Sequence, residues 1–214
     1  MATLALEMSA QDSGGVGLRG AEAEDEMPSG PPKFEESIYA LSTAPGMGGI
    51  AVIRVSGPDA LSSLARMSKP GSKPPQPRYA TLRTLLDPAS GDVLDQALVL
   101  FFPGPRSFTG EDVVELHVHG GVAIVNSVLA ALSEAPGLRL AVRGEFTRRA
   151  FLNGRMDLLE AEALNDLIHA ETVGQQKQAM RQMSGEHRKM YSKWRTDVRA
   201  PSAQASCRPR LRLR

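Results

Sequence analysis

The sequence predicts an α+β fold. Apolar residues recur with period two in short runs from Ser37 to Val142, and with a period near 3.6 after Glu145. At 214 residues and 42% hydrophobic the chain has enough apolar material for a core, and no apolar run approaches the roughly 20 residues that a bilayer-spanning helix needs.

The elements follow in order. Ile38 to Ser42 and Ile50 to Val55 are rich in β-branched or aromatic residues and flank Pro45-Gly46-Met47-Gly48-Gly49, so two strands around a Gly-rich turn are expected. That turn is neither a dinucleotide fingerprint nor a phosphate loop, because a strand pattern follows it and no Lys-Ser or Lys-Thr closes it. Its glycines supply positive φ or let backbone come close to a ligand. Pro58 to Met67 suits a short helix and Lys69 to Pro77 a Pro-rich connector. Tyr79 to Leu85, Val93 to Phe102 and Val113 to Val118 read as strands. On the last of these, alternation puts Glu115, His117 and His119 on one face and Val114, Leu116 and Val118 on the other. Gly120-Gly121 breaks that strand, Val122 to Leu132 forms a helix over the sheet, and Leu138 to Val142 is a brief last strand.

Beyond Glu145 the chain is helical. Asp157 with Glu160 three residues later makes a capping box, and Leu158, Ala161, Leu164, Leu167 and Ile168 line one apolar face. A second helix from about Gln175 carries Met180, Met183, Met190, Tyr191 and Trp194 on a similar stripe. Both stripes need a partner surface.

Charge excludes a global attraction to nucleic acid: 25 basic against 24 acidic residues leave +1, so any RNA contact has to come from a local patch. The single cysteine, Cys207, excludes an internal disulfide framework and fits a reducing compartment. The first 36 residues read as a disordered acidic segment, unlike the Arg-rich, acid-poor pattern of a mitochondrial transit peptide. Pro201 ends any helix, and Cys207 to Arg214 is a basic, Pro-broken tail.

Three blocks then identify a resemblance. Ala44 to Gly57, Phe102 to Asp112 running on through Glu115, His117, His119, Gly120 and Gly121, and Gly144-Glu145-Phe146-Thr147-Arg148-Arg149-Ala150-Phe151-Leu152-Asn153-Gly154-Arg155-Met156-Asp157-Leu158 resemble, in order, the signatures of the TrmE/MnmE family of tRNA-modification GTPases. The resemblance runs from about Ser37 to Trp194. It implies a TrmE N-terminal domain over 37–155, a tetrahydrofolate-binding and dimerisation domain with an aminomethyltransferase-like fold. A truncated α-helical segment over 156–195 follows, and then an aberrant tail over 196–214 that points to a reading-frame or splice change.

The family's folate-contacting positions fall on Arg54, Glu115 and Arg155, the last being Lys in bacterial members. A carboxylate such as Glu115 accepts paired pterin N–H donors, while Arg54 and Arg155 meet carbonyl or carboxylate groups. The implied cofactor is 5-formyl- or 5,10-methylene-tetrahydrofolate. The implied partners are a second copy, a FAD-dependent protein of the GidA/MnmG type and tRNA, in the mitochondrion and with no membrane. Neither the Gly-x-x-x-x-Gly-Lys-Ser/Thr loop nor the family's Cys-x-Gly-Lys occurs in the chain, so no GTP, potassium or magnesium site and no catalytic residue is expected in it.

Other readings stand beside this one. The chain could be a non-enzymatic isoform that dimerises with a full-length protein, or a stand-alone folate-dependent aminomethyltransferase. Glu115, His117 and His119 share a face as metal ligands would, but polar residues satisfied beside a ligand pocket are the better expectation. Arg148-Arg149 reads as solvated charge at a helix start, with RNA phosphate as the sharper alternative.

Overall fold

Strand β1 (Ser37–Leu41) pairs antiparallel with β2 (Ile50–Ser56), which pairs antiparallel with β5 (Val113–His119). Outward from β5 lie β4 (Val93–Phe102) and β3 (Thr81–Leu86), also antiparallel, and β6 (Leu138–Leu140) joins the other edge parallel to β1. The sheet order is therefore β3-β4-β5-β2-β1-β6. This computed structural model describes residues 34–184 and residues 190, 191, 193, 194, 196 and 197. The expectations for the acidic start through residue 33, and for the tail from 198 with Cys207, lie outside the described residues.

One face of the sheet builds the core. Ala51, Ile53 and Val55 of β2, Val114, Leu116 and Val118 of β5, and Ala97, Val99 and Phe101 of β4 are buried in one cluster with side chains of α1 (Ala60–Arg66) and α2 (Val122–Ser133). Burying Ile53 and Leu116 fully is worth about 1.5–3 kcal/mol each relative to exposure, so the period-two pattern fixes the register. Across the opposite face Arg54 sits beside Glu115, and Glu115 beside Leu100.

Two glycine features shape the sheet's end. The Gly48 N–H donates to the Gly120 carbonyl at 3.1 Å, and a Cβ on Gly120 would lie 2.5 Å from the Gly48 carbonyl oxygen. The close approach at the Gly-rich turn is thus to the chain's own strand end.

Local sequence accounts for the later elements and for the shifts from the expected bounds. α3 (Glu145–Leu152) follows Gly144, whose φ of 76° turns the chain from β6 into the helix. Asp157 and Glu160 form the expected reciprocal capping box on α4 (Leu158–Ile168). Thr172 and Gln175 form a second capping box, so α5 (Val173–Met183) begins two residues before the expected Gln175. The apolar stripe of α4 is largely uncovered, with Leu158 60% and Ile168 72% exposed, and Ala179 is the buried residue of α5.

A buried ionic network ties α3 to the loop between β4 and β5. Arg149, 1% exposed, donates through Nη1 to Glu111 Oε1 and Oε2 at 3.0 and 3.2 Å and to the Glu36 carbonyl at 2.9 Å. Its Nη2 reaches Glu145 Oε1 at 3.4 Å, and its guanidinium carbon stands 4.4 Å from the centre of the Phe34 ring. Glu111 in turn accepts from Ser56 Oγ at 2.8 Å, and Ser56 and Thr109 hydroxyls meet at 2.7 Å. Arg149 is therefore not solvated helix-start charge and is out of reach of RNA phosphate, contrary to the sequence expectation; only Arg148 is exposed.

Two predictions follow from this network. Replacing Arg149 with Met leaves Glu111 without its buried counter-ion, while Glu145 keeps Arg139, so urea unfolding should show a loss of about 3–5 kcal/mol. Glu145 is held at a pKa of about 2, first by the Arg139 hydrogen bonds, against the penalty of burial, and then by the Val142 N–H. Its value is depressed below the ordinary 4.5, so its stabilising contribution is complete above that pH and is lost as pH falls toward 2. The unfolding midpoint should fall over this window, and Glu145→Gln should flatten that limb while lowering neutral-pH stability. A residual slope should persist from Asp95, whose pKa is also depressed.

Candidate functional site

A cleft of about 1020 Å³ opens where β1, β2 and the chain after β6 meet α3 and α4. Its walls are apolar at Phe108, Phe146, Phe151 and along α4, where Leu158, Ala161, Leu164 and Ile168 face inward. Among the described residues three guanidinium groups line it, those of Arg54, Arg143 and Arg148, and no carboxylate does. Such a lining suits a flat, partly apolar ligand with a carbonyl or carboxylate end.

Arg54 is the most constrained of the three. Its Nη2 and Nε donate to Glu115 Oε1 at 2.7 and 3.0 Å. Its guanidinium carbon lies 5.1 Å from the centre of Phe108 and 5.7 Å from that of Phe146. The pair is about one-fifth exposed on each side, where a charge pair is less screened than on an open surface. Strand register brings Arg54 and Glu115 together, and the rings hold the guanidinium plane in place.

Glu115 stands behind Arg54 rather than among the lining residues, and among the described residues its Oε2 meets His117 Nε2 at 3.6 Å. That nitrogen is buried without a hydrogen-bond partner, so His117 is not the satisfied polar residue that was expected. His119 accepts a different role. Asp95, 8% exposed, takes the His119 backbone N–H at 2.8 Å and its Nδ1 at 2.7 Å. Burial penalises the Asp95 charge, but the bonds from His119 and from the Gln96 N–H outweigh it and hold the carboxyl below the usual range. Among the described residues no group of three or more His, Cys, Asp or Glu side chains is placed to hold a metal ion, and no helix is long and apolar enough to cross a membrane.

Arg155 lies apart from the other two predicted site residues. Its Nε donates to the Ser107 carbonyl at 3.2 Å, its stem packs at Gly110, and it is not among the residues lining the cleft. It touches the loop that carries Phe108, as does Asn153, whose Nδ2 donates to the Thr109 carbonyl at 2.7 Å. The sequence reading missed Phe108, Phe146 and Arg143. The i, i+4 spacing of Glu145 and Arg149 was the signal available that these two share one side of α3, leaving Phe146 and Arg148 to other sides.

The sequence model of the family described as "GTP-binding protein TrmE N-terminus" matches residues 37–155. The chain is 59% identical over 150 residues to the human mitochondrial 5-taurinomethyluridine-tRNA synthase subunit GTPB3, covering 70% of this chain and 30% of that protein. The Danio rerio protein of the same name is 51% identical over 160 residues, 75% of this chain and 31% of its own. The tRNA modification GTPase MnmE of Parvibaculum lavamentivorans is 53% identical over 170 residues, 79% of this chain and 38% of its own. The chain thus spans roughly a third of the length of these relatives. It belongs to the TrmE family, and residues 37–155 are its TrmE N-terminal domain.

Proposed function

We propose that this chain binds a one-carbon tetrahydrofolate, 5-formyl- or 5,10-methylene-tetrahydrofolate, in the cleft beside Arg54, as part of the machinery that modifies C5 of tRNA wobble uridines. The observation that carries the reading is the Arg54–Glu115 pair facing an aromatic-walled, carboxylate-free cleft of about 1020 Å³. The lining fits the group: a pterin and its benzoyl ring need aromatic and aliphatic walls, and the glutamate tail needs cations. Arg143 and Arg148, exposed at the rim, suit the tail carboxylates. Arg54 holds a ring carbonyl, and Glu115, standing behind it, acts on the ligand by fixing the Arg54 guanidinium. Arg155 acts by fixing the Phe108 loop from below, through the Ser107 carbonyl. The bound folate supplies the carbon that is placed on uridine.

The wider role draws on the relatives. Their names place them in tRNA modification, and the vertebrate ones in mitochondria, so the same process and compartment are proposed for this chain. A FAD-dependent partner of the GidA/MnmG type would complete the chemistry on tRNA. The division into a folate domain over 37–155 and a partial helical domain over 156–195 belongs to the same proposal. Self-association is favoured by the face of the sheet opposite α1 and α2, where Ile50, Leu82 and Leu98 are 67%, 65% and 46% exposed. Two copies joined there would cover this apolar area, whether the chain acts in folate chemistry or only as an interaction partner of a longer protein.

Calorimetry with 5-formyl-tetrahydrofolate tests the cofactor. Saturable binding is expected, weakened on the order of 1.5–3 kcal/mol by Glu115→Gln and in the same direction by Arg54→Ala. Parent-like affinity in both variants would remove Arg54 and Glu115 from the site. Light scattering tests the association: the parent should be a dimer, and Leu98→Asp a monomer. A dimer without folate affinity would favour the interaction reading.

A further inference from the structure

The edge of the sheet farthest from the cleft carries a charge pattern that folate binding does not use. Between Asp59 and Asp87 the chain has no acidic residue, yet it holds Arg66, Lys69, Lys73, Arg78 and Arg83. The overall balance is only +1, so this segment is a local block of positive charge.

The block is shaped. A hollow of about 430 Å³ lies between the connector after α1 and the first half of β3, lined by Lys69, Lys73, Arg83, the hydroxyl residues Ser68, Ser72, Thr81 and Thr84, and no carboxylate. The connector is held rather than loose. The Leu86 N–H donates to the Met67 carbonyl at 2.8 Å, Arg83 Nη2 donates to the Lys73 carbonyl, and Pro75 is buried. Lys69 and Lys73 are exposed, and among the described residues no ion pair involves either of them or Arg83.

Lysine on an edge strand also deters edge-to-edge pairing. That purpose is served by either sign of charge and needs neither an acid-free stretch nor a hydroxyl-lined hollow. Lys, Arg, Ser and Thr are the side chains that contact phosphate in nucleic-acid complexes, and Tyr79, 61% exposed two residues before β3, adds a ring against which a base can stack. Arg83 is in register with Ala97 and so stands on the core face of the sheet, while Arg54 of the cleft stands on the other face three strand spacings away, roughly 14 Å, so a ligand touching both has to be extended and to reach around the sheet edge.

We infer that Lys69, Lys73 and Arg83 form a docking surface for the phosphate backbone of RNA, and that this edge helps to hold the tRNA whose modification the proposed function assigns to the cleft. The inference rests on the tRNA role of that reading and not on the folate site, and the two fail separately.

Fluorescence anisotropy with labelled tRNA and the full chain tests it over a salt series. The parent should bind with a steep salt dependence. Lys69→Gln with Lys73→Gln should weaken binding about tenfold and reduce the slope of log affinity against log salt by about one and a half, the value for two lost phosphate contacts. Lys69→Arg with Lys73→Arg should restore both. Arg181→Gln, an exposed charge on α5, should change neither. Folate affinity of the double Gln variant should equal that of the parent, which separates this site from the cleft.

The inference is overturned if the chain binds no tRNA, or if the double Gln variant keeps the parent's affinity and slope. It is also overturned if inorganic phosphate or poly-glutamate of matched charge displaces tRNA as well as unlabelled tRNA does, since the surface would then serve a small anion or an acidic protein. Loss of folate binding with the tRNA results intact would leave this surface standing and remove only the cleft assignment.

Discussion

The fold on the side of the cleft depends on one buried cation. Arg149 is enclosed by Glu111, Glu145, the Glu36 carbonyl and the Phe34 ring, which belong to three different stretches of chain. Taking a guanidinium out of water costs several kcal/mol, and the two carboxylates and the carbonyl offset that cost only because they are all present at once. The arrangement is cooperative for that reason. The backbone before β1, the loop after β4 and helix α3 cannot take their places independently, and the Nε of Arg149, which has no hydrogen-bond partner among the described residues, marks the part of the cost left uncompensated.

The consequence reaches the cleft through one loop. Glu111 anchors the loop from below, Ser56 and Thr109 join it to β2, and Asn153 and Arg155 hold its carbonyls from α3 and the turn that follows. Phe108 is thereby set over Arg54, which would otherwise be a partly solvated arginine with many rotamers. Holding the guanidinium between a carboxylate and two rings removes most of its conformational freedom before any ligand arrives, and preorganisation of this kind lowers the ordering cost of binding.

Much of this was legible in the sequence, for identifiable reasons. The alternation over Val113 to His119 gave both the buried face and the polar face of β5, because burial on one side of a sheet enforces period two. Asp157 with Glu160 announced the start of α4 by local hydrogen bonding alone. Thr172 with Gln175 carries the same signal for the start of α5. Arg149 was misread because charge at a helix start is ordinarily solvated, and its burial depends on Glu111, thirty-eight positions away in sequence. The contact of Gly120 with Gly48 was hidden for a similar reason, since a glycine pattern says that backbone comes close to something without saying to what.

The apolar stripe of α4 shows how one sequence signal can serve two ends. Its spacing says that these residues need a partner surface, and the fold turns Leu158, Ala161, Leu164 and Ile168 toward the cleft while leaving Leu158 and Ile168 mostly in water. A helix in that state draws little stability from burial, with Ala163 as its buried residue, and relies on its capping box and on α5. Whatever fills the cleft therefore stabilises α4 by covering it, and by linkage whatever orders α4 raises affinity in the cleft. The wall that completes the pocket is its least rigid part. The rigid part, Arg54 between Glu115 and the two rings, lies on the sheet, so orientation of a ligand is set by the sheet and its retention by the helix.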